Sequence, residues 1–254
     1  MTTKESPIKI AQISDLHLTT SQHDCLHQIN PYERAHAVIT HLKQQEYNLI
    51  IISGDIAHNG ELKSYKQLLS LIDDLQTKII LFPGNHDDLK NLQSILAHNK
   101  NRIISPDKPI TIENWAFVYL DTTVKHEDYG HISNAALAKL KNTLSHVNEK
   151  NICLMMHHHP HEIGIPRVDK YKIDNSNNLS TALTTDVKLI LHGHVHNNYF
   201  YLKKGTLYSS PPATSFQFNR NEGINAKTFG FNEYTLNGNE IFCTPIFFEG
   251  QKNA

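Results

Sequence analysis

Five short segments of the 254-residue chain concentrate side chains able to hold metal ions: Asp15-Leu16-His17, Gly54-Asp55, Gly84-Asn85-His86-Asp87, His157-His158-His159 and His192-Gly193-His194-Val195-His196. In extended chain, residues i and i+2 point to the same side roughly 6.5–7 Å apart. On that reading Asp15 with His17, and His194 with His196, form two pairs of ligands. Such pairs grip one ion, or straddle two ions about 3.5–4 Å apart. A carboxylate such as Asp55 can bridge two ions with its two oxygens. Gly54, Gly84 and Gly193 let the backbone turn beside each ligand. The donors are imidazole, carboxylate and one amide oxygen. The lack of thiolate argues against a structural cysteine-type zinc site, and the set suits Fe, Mn, Zn or Co.

No single segment is persuasive alone. Asp-x-His is common by chance, and with 18 histidines a triple histidine by itself could reflect composition bias. An Asn or Asp in Gly-Asn-His-Asp could simply cap a following helix. The weight comes from position, because each segment directly follows an apolar run that reads as a strand. Ligand sites in α/β sheets form beyond the carboxyl ends of strands, so five polar clusters at five strand ends can converge on one patch.

The elements that must position them follow from apolar spacing. Strands are expected at Ile8–Ser14, Leu49–Ser53, Ile79–Phe82, Trp115–Leu120, Ile152–Met156 and Val187–Leu191. Helices are expected at Tyr32–Gln44, Leu62–Leu75 and Leu89–Ala97, and from an N-capping Ser133 to Leu144. Alternation of this kind argues for parallel strands joined by crossover helices. From Asn198 onward short strands succeed one another (Tyr199–Leu202, Thr206–Ser209, Ser215–Phe218, Phe231–Leu236, Ile241–Phe248), suggesting antiparallel pairing that makes the second sheet mixed. Residues 160–178 form one long loop, a length that is often functional.

Composition narrows the classes. Lys plus Arg number 24 and Asp plus Glu 25, a net charge of −1. No basic excess points to nucleic acid and no polybasic block to a membrane. No apolar run approaches the roughly 20 residues of a membrane span, and residues 1–14 lack a signal-peptide pattern. Cys25, Cys153 and Cys243 are odd in number and widely spaced, which suits reduced thiols. The expectation is one α/β domain over residues 1–254, cytoplasmic, as a monomer or homodimer.

The segments resemble the calcineurin-like metallophosphoesterase superfamily, whose pattern runs Asp-x-His, Gly-Asp, Gly-Asn-His-Asp or Glu, His, then Gly-His-x-His. Every element is present, and the resemblance extends from about Ile8 to Phe248. It implies a four-layer α/β/β/α sandwich of two mixed sheets flanked by helices. It also implies two divalent metal ions, Fe or Mn before Zn or Co. Asp15, His17 and His196 match the ligands of the first metal; Asn85, His157 and His194 match those of the second; Asp55 matches the bridge. His86 matches a catalytic histidine that contacts the phosphate. The substrate would lie against His17, Asp55, Asn85, His86 and His196. Asp87 reads as support for its loop. His158, His159 and His161 read as exposed loop histidines, with orientation of neighbouring ligands as the alternative. His23, His27, His36, His41, His98, His126 and His146 read as surface residues.

Within the superfamily, four stretches resemble the bacterial class III cyclic nucleotide phosphodiesterases: Ala11–Leu18, Gly54–Ala57, Met156–Pro160 and Ser210–Phe218. Pro211 and Pro212 stand where one proline is expected, and Lys227–Gly230 replaces a Pro-Gly-Trp-like turn. The resemblance implies hydrolysis of 3′,5′-cyclic AMP to 5′-AMP by a metal-bridging hydroxide. The alternatives are a glycerophosphodiester, phosphomonoester or phosphoprotein substrate, or a non-catalytic scaffold.

Overall fold

Strands and helices alternate through the chain, as the switches between two-residue and 3.6-residue apolar spacing require. The computed structural model describes residues 6–99, 102–219 and 223–250. The first half contains β1 (Ile8–Ile13), α1 (Pro31–Lys43), β2 (Leu49–Ser53), α2 (Leu62–Ile72), β3 (Ile79–Phe82), α3 (Leu89–His98) and β4 (Ile103–Ile104). Next come β5 (Ile110–Ile112), β6 (Trp115–Tyr119), α4 (Asn134–His146), β7 (Asn151–Met155), α5 (Pro166–Asp169), α6 (Asn177–Ser180) and β8 (Val187–Leu191). The tail holds β9 (Tyr199–Lys203), β10 (Thr206–Ser210), β11 (Gln217–Phe218), β12 (Ile224–Asn225), β13 (Thr228–Asn237) and β14 (Glu240–Glu249).

Capping explains the helix starts. Asn30 accepts from the Glu33 amide at 3.1 Å ahead of Pro31, and Ser133 accepts from the Ala136 amide at 3.1 Å. Asp88 accepts from the Asn91 amide at 2.8 Å. Because Asp88 caps α3, Asn85 is left free for other work.

The strands form two mixed sheets, ordered β14-β13-β1-β2-β3-β4 and β5-β6-β7-β8-β10-β9. β1 to β4 are mutually parallel, as are β6, β7, β8 and β10. Alternation along each strand divides the core. Ile8, Ile10, Leu49 and Ile51 meet Phe117, Met155 and Leu191 between the sheets. Ile13, Ile50 and Ile52 face Val38, Leu42 and Leu68 of α1 and α2. Val118, Leu154 and Ile190 face Leu140 and Leu144 of α4. Each such side chain contributes roughly 1.5–3 kcal/mol by leaving water. The result is the expected α/β/β/α layering.

The tail departs from expectation. β9 and β10 join the second sheet, but β13 and β14 cross to the first, where β13 runs antiparallel to β1. The strand expected at Ser215–Phe218 is reduced to β11, because the Thr214 and Ser215 amides bond to the Ser14 and Asp15 carbonyls just beyond β1. The helix expected to Leu75 ends at Ile72, and residues 160–178 include the one-turn α5 and α6. All three cysteines are free. Among the described residues no helix is long and apolar enough to cross a membrane.

Candidate metal centre

The parallel strands β1, β2, β3, β7 and β8 all end at the same edge of the sandwich. The five polar segments leave from those ends and meet there. The ligand pairs are not extended, contrary to the sequence reading. Asp15 (φ 53°), His17 (φ 49°), Asp55 (φ 51°), His194 (φ 69°) and His196 (φ 49°) all adopt left-handed backbone. Such residues cost about 1–3 kcal/mol each and persist only where the surroundings over-determine them. The surroundings are visible. Leu16 is buried in the helix-side core and Val195 is buried with Ile165 and Val168. Each middle residue is thus an anchor, and its neighbours are turned toward the site. The Asp15 amide donates to the Gly54 carbonyl at 3.1 Å and the His17 amide to the Asp55 carbonyl at 2.9 Å.

Two glycines are forced by crowding. A Cβ on Gly84 would lie 2.1 Å from Asp55 Oδ1, and one on Gly54 (φ 94°) would lie 2.4 Å from His157 Nδ1.

Ring nitrogens and carboxylate oxygens converge in two clusters. In the first, His17 Nε2 lies 3.1 Å from His196 Nε2 and 3.6 Å from Asp55 Oδ2, and His196 Nε2 lies 3.6 Å from Asp15 Oδ1. In the second, Asn85 Oδ1 lies 3.2 Å from His157 Nε2 and 3.1 Å from His194 Nδ1, and His157 Nε2 lies 3.4 Å from Asp55 Oδ1. Asp55 therefore turns one oxygen to each cluster. Apart from Asn85, these residues are between 0 and 8% exposed.

The second nitrogens of the rings are also held. His157 Nδ1 donates to the Ser53 carbonyl at 2.9 Å and His196 Nδ1 to the Phe216 carbonyl at 2.7 Å. Both Nε2 lone pairs therefore face the clusters, the arrangement that outer partners impose on metal-binding histidines. Burial lowers the pKa of His17, His194 and His196, leaving the neutral imidazoles that ligation needs. At His157 burial is opposed by Asp55, Asp15 and the Ser53 carbonyl, which push it up to about 9. Burial disfavours the Asp55 carboxylate, but His157, His86 and His17 hold its pKa well below the usual range. Burial raises the pKa of Asp15, which puts a further premium on positive charge at the centre, and the donor set of carboxylates, imidazoles and one amide oxygen fits divalent cations.

His86 is no member of either cluster. Its amide donates to Asp55 Oδ1 at 3.0 Å, and its Nδ1 donates to the His58 carbonyl at 2.7 Å. Burial acts against its charged form, but Asp55 and that carbonyl together raise its pKa. Asp87 supports its loop, as expected: it accepts from the amides of Ile56, Ala57 and Gly84 and from the Tyr65 hydroxyl.

Other histidines need correction. His158 and His159 are buried, not exposed. His158 Nδ1 meets the Thr122 hydroxyl at 2.9 Å, and His159 Nε2 lies 3.6 Å from Asp169. His161 is half-buried against Tyr201 and Tyr208. His41 is half-buried between Phe231 and Phe248, whereas His23, His36, His98, His126 and His146 are exposed. His27 is exposed at the cavity, packed on Phe216. His58 was not foreseen, yet its Nδ1 lies 3.2 Å from His17 Nδ1. Its only sequence signal is its place three residues after Asp55.

A cavity of about 420 Å³ opens over the clusters, a size usual for small-molecule sites. His17, Asp55, Asn85, His86 and His196 line it, with Arg167, Tyr171, Phe216 and Phe218 forming an aromatic and cationic wall.

Comparison with known proteins agrees with this geometry. A model of the calcineurin-like phosphoesterase family matches residues 8–198, a span containing all seven candidate ligands. The chain belongs to that family, whose members use divalent metals, and it is a phosphoesterase. It is 32% identical over 238 residues to a probable cyclic nucleotide phosphodiesterase of Coxiella burnetii, covering 92% of this chain and 94% of that one. It is 31% identical over 219 residues to the 3′,5′-cyclic adenosine monophosphate phosphodiesterase CpdA of Escherichia coli, covering 84% of this chain and 78% of that one. Its fold is similar to a dimetal phosphatase of Danio rerio, with TM-score 0.68 at 11% identity, covering 96% of this chain and 99% of that one.

Proposed function

We propose that this phosphoesterase hydrolyses a 3′,5′-cyclic nucleotide, cyclic AMP, to the 5′-nucleotide at a dinuclear centre. Asp15, His17 and His196 would hold one cation, Asn85, His157 and His194 the other, with Asp55 between them; iron or manganese would fit this mixed set. The observation that carries the reading is Asp55, whose Oδ2 faces His17 and whose Oδ1 faces His157 across the two clusters. When bound, the two cations supply Lewis-acid charge and an activated water.

The protein's own groups do the rest. Asn85 orients the phosphoryl group beside the second cluster. Water adds its oxygen to phosphorus and gives up one proton to solvent as the bond to O3′ breaks, and the leaving oxygen takes a proton. His86 is placed to give it: the His58 carbonyl holds Nδ1–H, leaving Nε2 for the substrate. Such a donor contributes about 10²–10⁴-fold. The relatives' names and the Ser210–Phe218 stretch support a cyclic nucleotide, and the aromatic wall offers a surface for a base.

The test is turnover of cyclic AMP, cyclic GMP and bis(p-nitrophenyl) phosphate by one manganese-loaded sample. Cleavage of cyclic AMP to 5′-AMP is expected. Cleavage of the model diester with cyclic AMP left intact would sink the assignment.

A further inference from the structure

Arg34 presents a puzzle. It lies on α1, is only 5% exposed, and among the described residues meets no carboxylate. An apolar side chain would fill the same space without the cost of burying a cation. Its guanidinium packs 4.9 Å from the centre of the Phe229 ring and donates to two main-chain carbonyls, Ser215 at 2.5 Å and Ala226. The planar fork of arginine suits two such acceptors at once.

Ser215 is the link to the site. Its amide and hydroxyl both donate to the Asp15 carbonyl, at 3.2 Å and 2.6 Å, and the neighbouring Thr214 amide donates to the Ser14 carbonyl at 2.9 Å. Phe216 accepts from His196 Nδ1, and its ring packs on His17 and His196 at 5.6 Å and 4.6 Å between centroids. Phe218 returns an amide bond to the His196 carbonyl at 3.2 Å. Among the described residues, the contacts of 214–218 with candidate ligands go to Asp15, His17 and His196. Asn85, His157 and His194 receive none directly; the one link onward is the His194 amide, which donates to the Asp15 carboxylate at 3.0 Å.

We infer that Arg34 is a positioning residue that acts on the first metal cluster ahead of the second. It pins the Ser215–Phe216 main chain, which in turn holds Asp15 in its left-handed conformation and His196 in its ring orientation. Loss of the pin loosens the first cation before the second. This rests on the dinuclear reading above, but not on the identity of the substrate.

The test loads the full-length protein with manganese alone. It follows release to a chelator by metal analysis and by electron paramagnetic resonance, where a coupled pair and a single bound ion differ. His196→Ala and His157→Ala supply reference signatures for loss of the first and second site. In Arg34→Met, one ion should leave about tenfold faster than in wild type, the lower end for removing an outer partner of a metal ligand. The residue left should match the His196→Ala signature. Arg34→Lys, which can keep one carbonyl contact, should fall between. Ser215→Ala should shift release in the same direction. Val38→Ala, a core change on the same helix, should leave the two rates as in wild type. If Arg34→Met does not fold, Arg34→Lys and Ser215→Ala decide. Release of both ions at a common rate in the variants, or rates unchanged from wild type, overturns the inference while leaving the dinuclear reading intact. Wild-type protein that retains fewer than two ions overturns both. Inactivity toward cyclic AMP touches neither.

Discussion

In the first cluster residues 214–218 reach in from the far end of the sequence, fastening Asp15 and His196 by main chain and packing the Phe216 ring on His17. In the second, the fasteners lie beside the strand ends. His157 leaves β7 and donates to the last carbonyl of β2, and Asn85 sits in a loop clipped by Asp87. The donor types are similar, but the first cluster leans on an irregular segment and the second on main chain at the strand ends. Asp87 draws its four donors from its own loop at Gly84 and from Ile56, Ala57 and Tyr65. A cluster held by a distant irregular segment inherits the stability of whatever pins that segment.

Asp55 belongs to both clusters, so its loss should erase the contrast. Removing one partner from a buried charged constellation costs about 3–5 kcal/mol, roughly 10²–10⁴ in rate when it is lost from the transition state. Asp55→Asn should therefore lose both ions by metal analysis and show the largest fall in turnover. His86→Gln should separate chemistry from assembly. It should lower kcat by about 10²–10⁴-fold with two ions still bound; retained turnover would remove His86 from the proposed role.

His58→Ala should sharpen the comparison from the other side. Its ring touches His17 and no ligand of the second cluster, so first-site affinity should fall by about tenfold, read by calorimetric manganese titration, with the second site unchanged. Asp87→Asn should act on the opposite cluster: the loop loses a charged acceptor, costing about 1–3 kcal/mol by denaturant unfolding, and the second ion becomes the more labile. Leu144→Ala, 6% exposed on α4, should cost about 2–5 kcal/mol of stability with no effect on either release rate. Selective loss of one ion there would show that generic destabilisation mimics the contrast.

Much of this was legible in advance. The order of the longer strands and helices to β8 follows from apolar spacing, which misses the short β4, β5, α5 and α6, and the five polar segments stand at strand ends. Asp87 was read as a loop support, and its four donors agree. The misreadings share a cause. Asp15 and His17 look like alternating residues of a strand, but buried Leu16 and bonds to the Gly54 and Asp55 carbonyls turn them left-handed. His158 and His159 look like exposed residues of a histidine-rich loop, but they lie beneath His194. The tail strands look like one antiparallel set, but periodicity reports which face of a strand is buried and not which sheet edge it joins.

By itself the sequence determined the donor types, their order, and the strands that deliver them, because side-chain chemistry and apolar period are local properties. The family resemblance added the grouping of the donors and the bridging place of Asp55. Only the tertiary structure decided the left-handed turns that bring the donors together, and that Arg34 and His58 stand behind the first cluster. Those facts depend on contacts between segments as much as 200 residues apart, such as Asp15 and Ser215. No local pattern encodes such a contact.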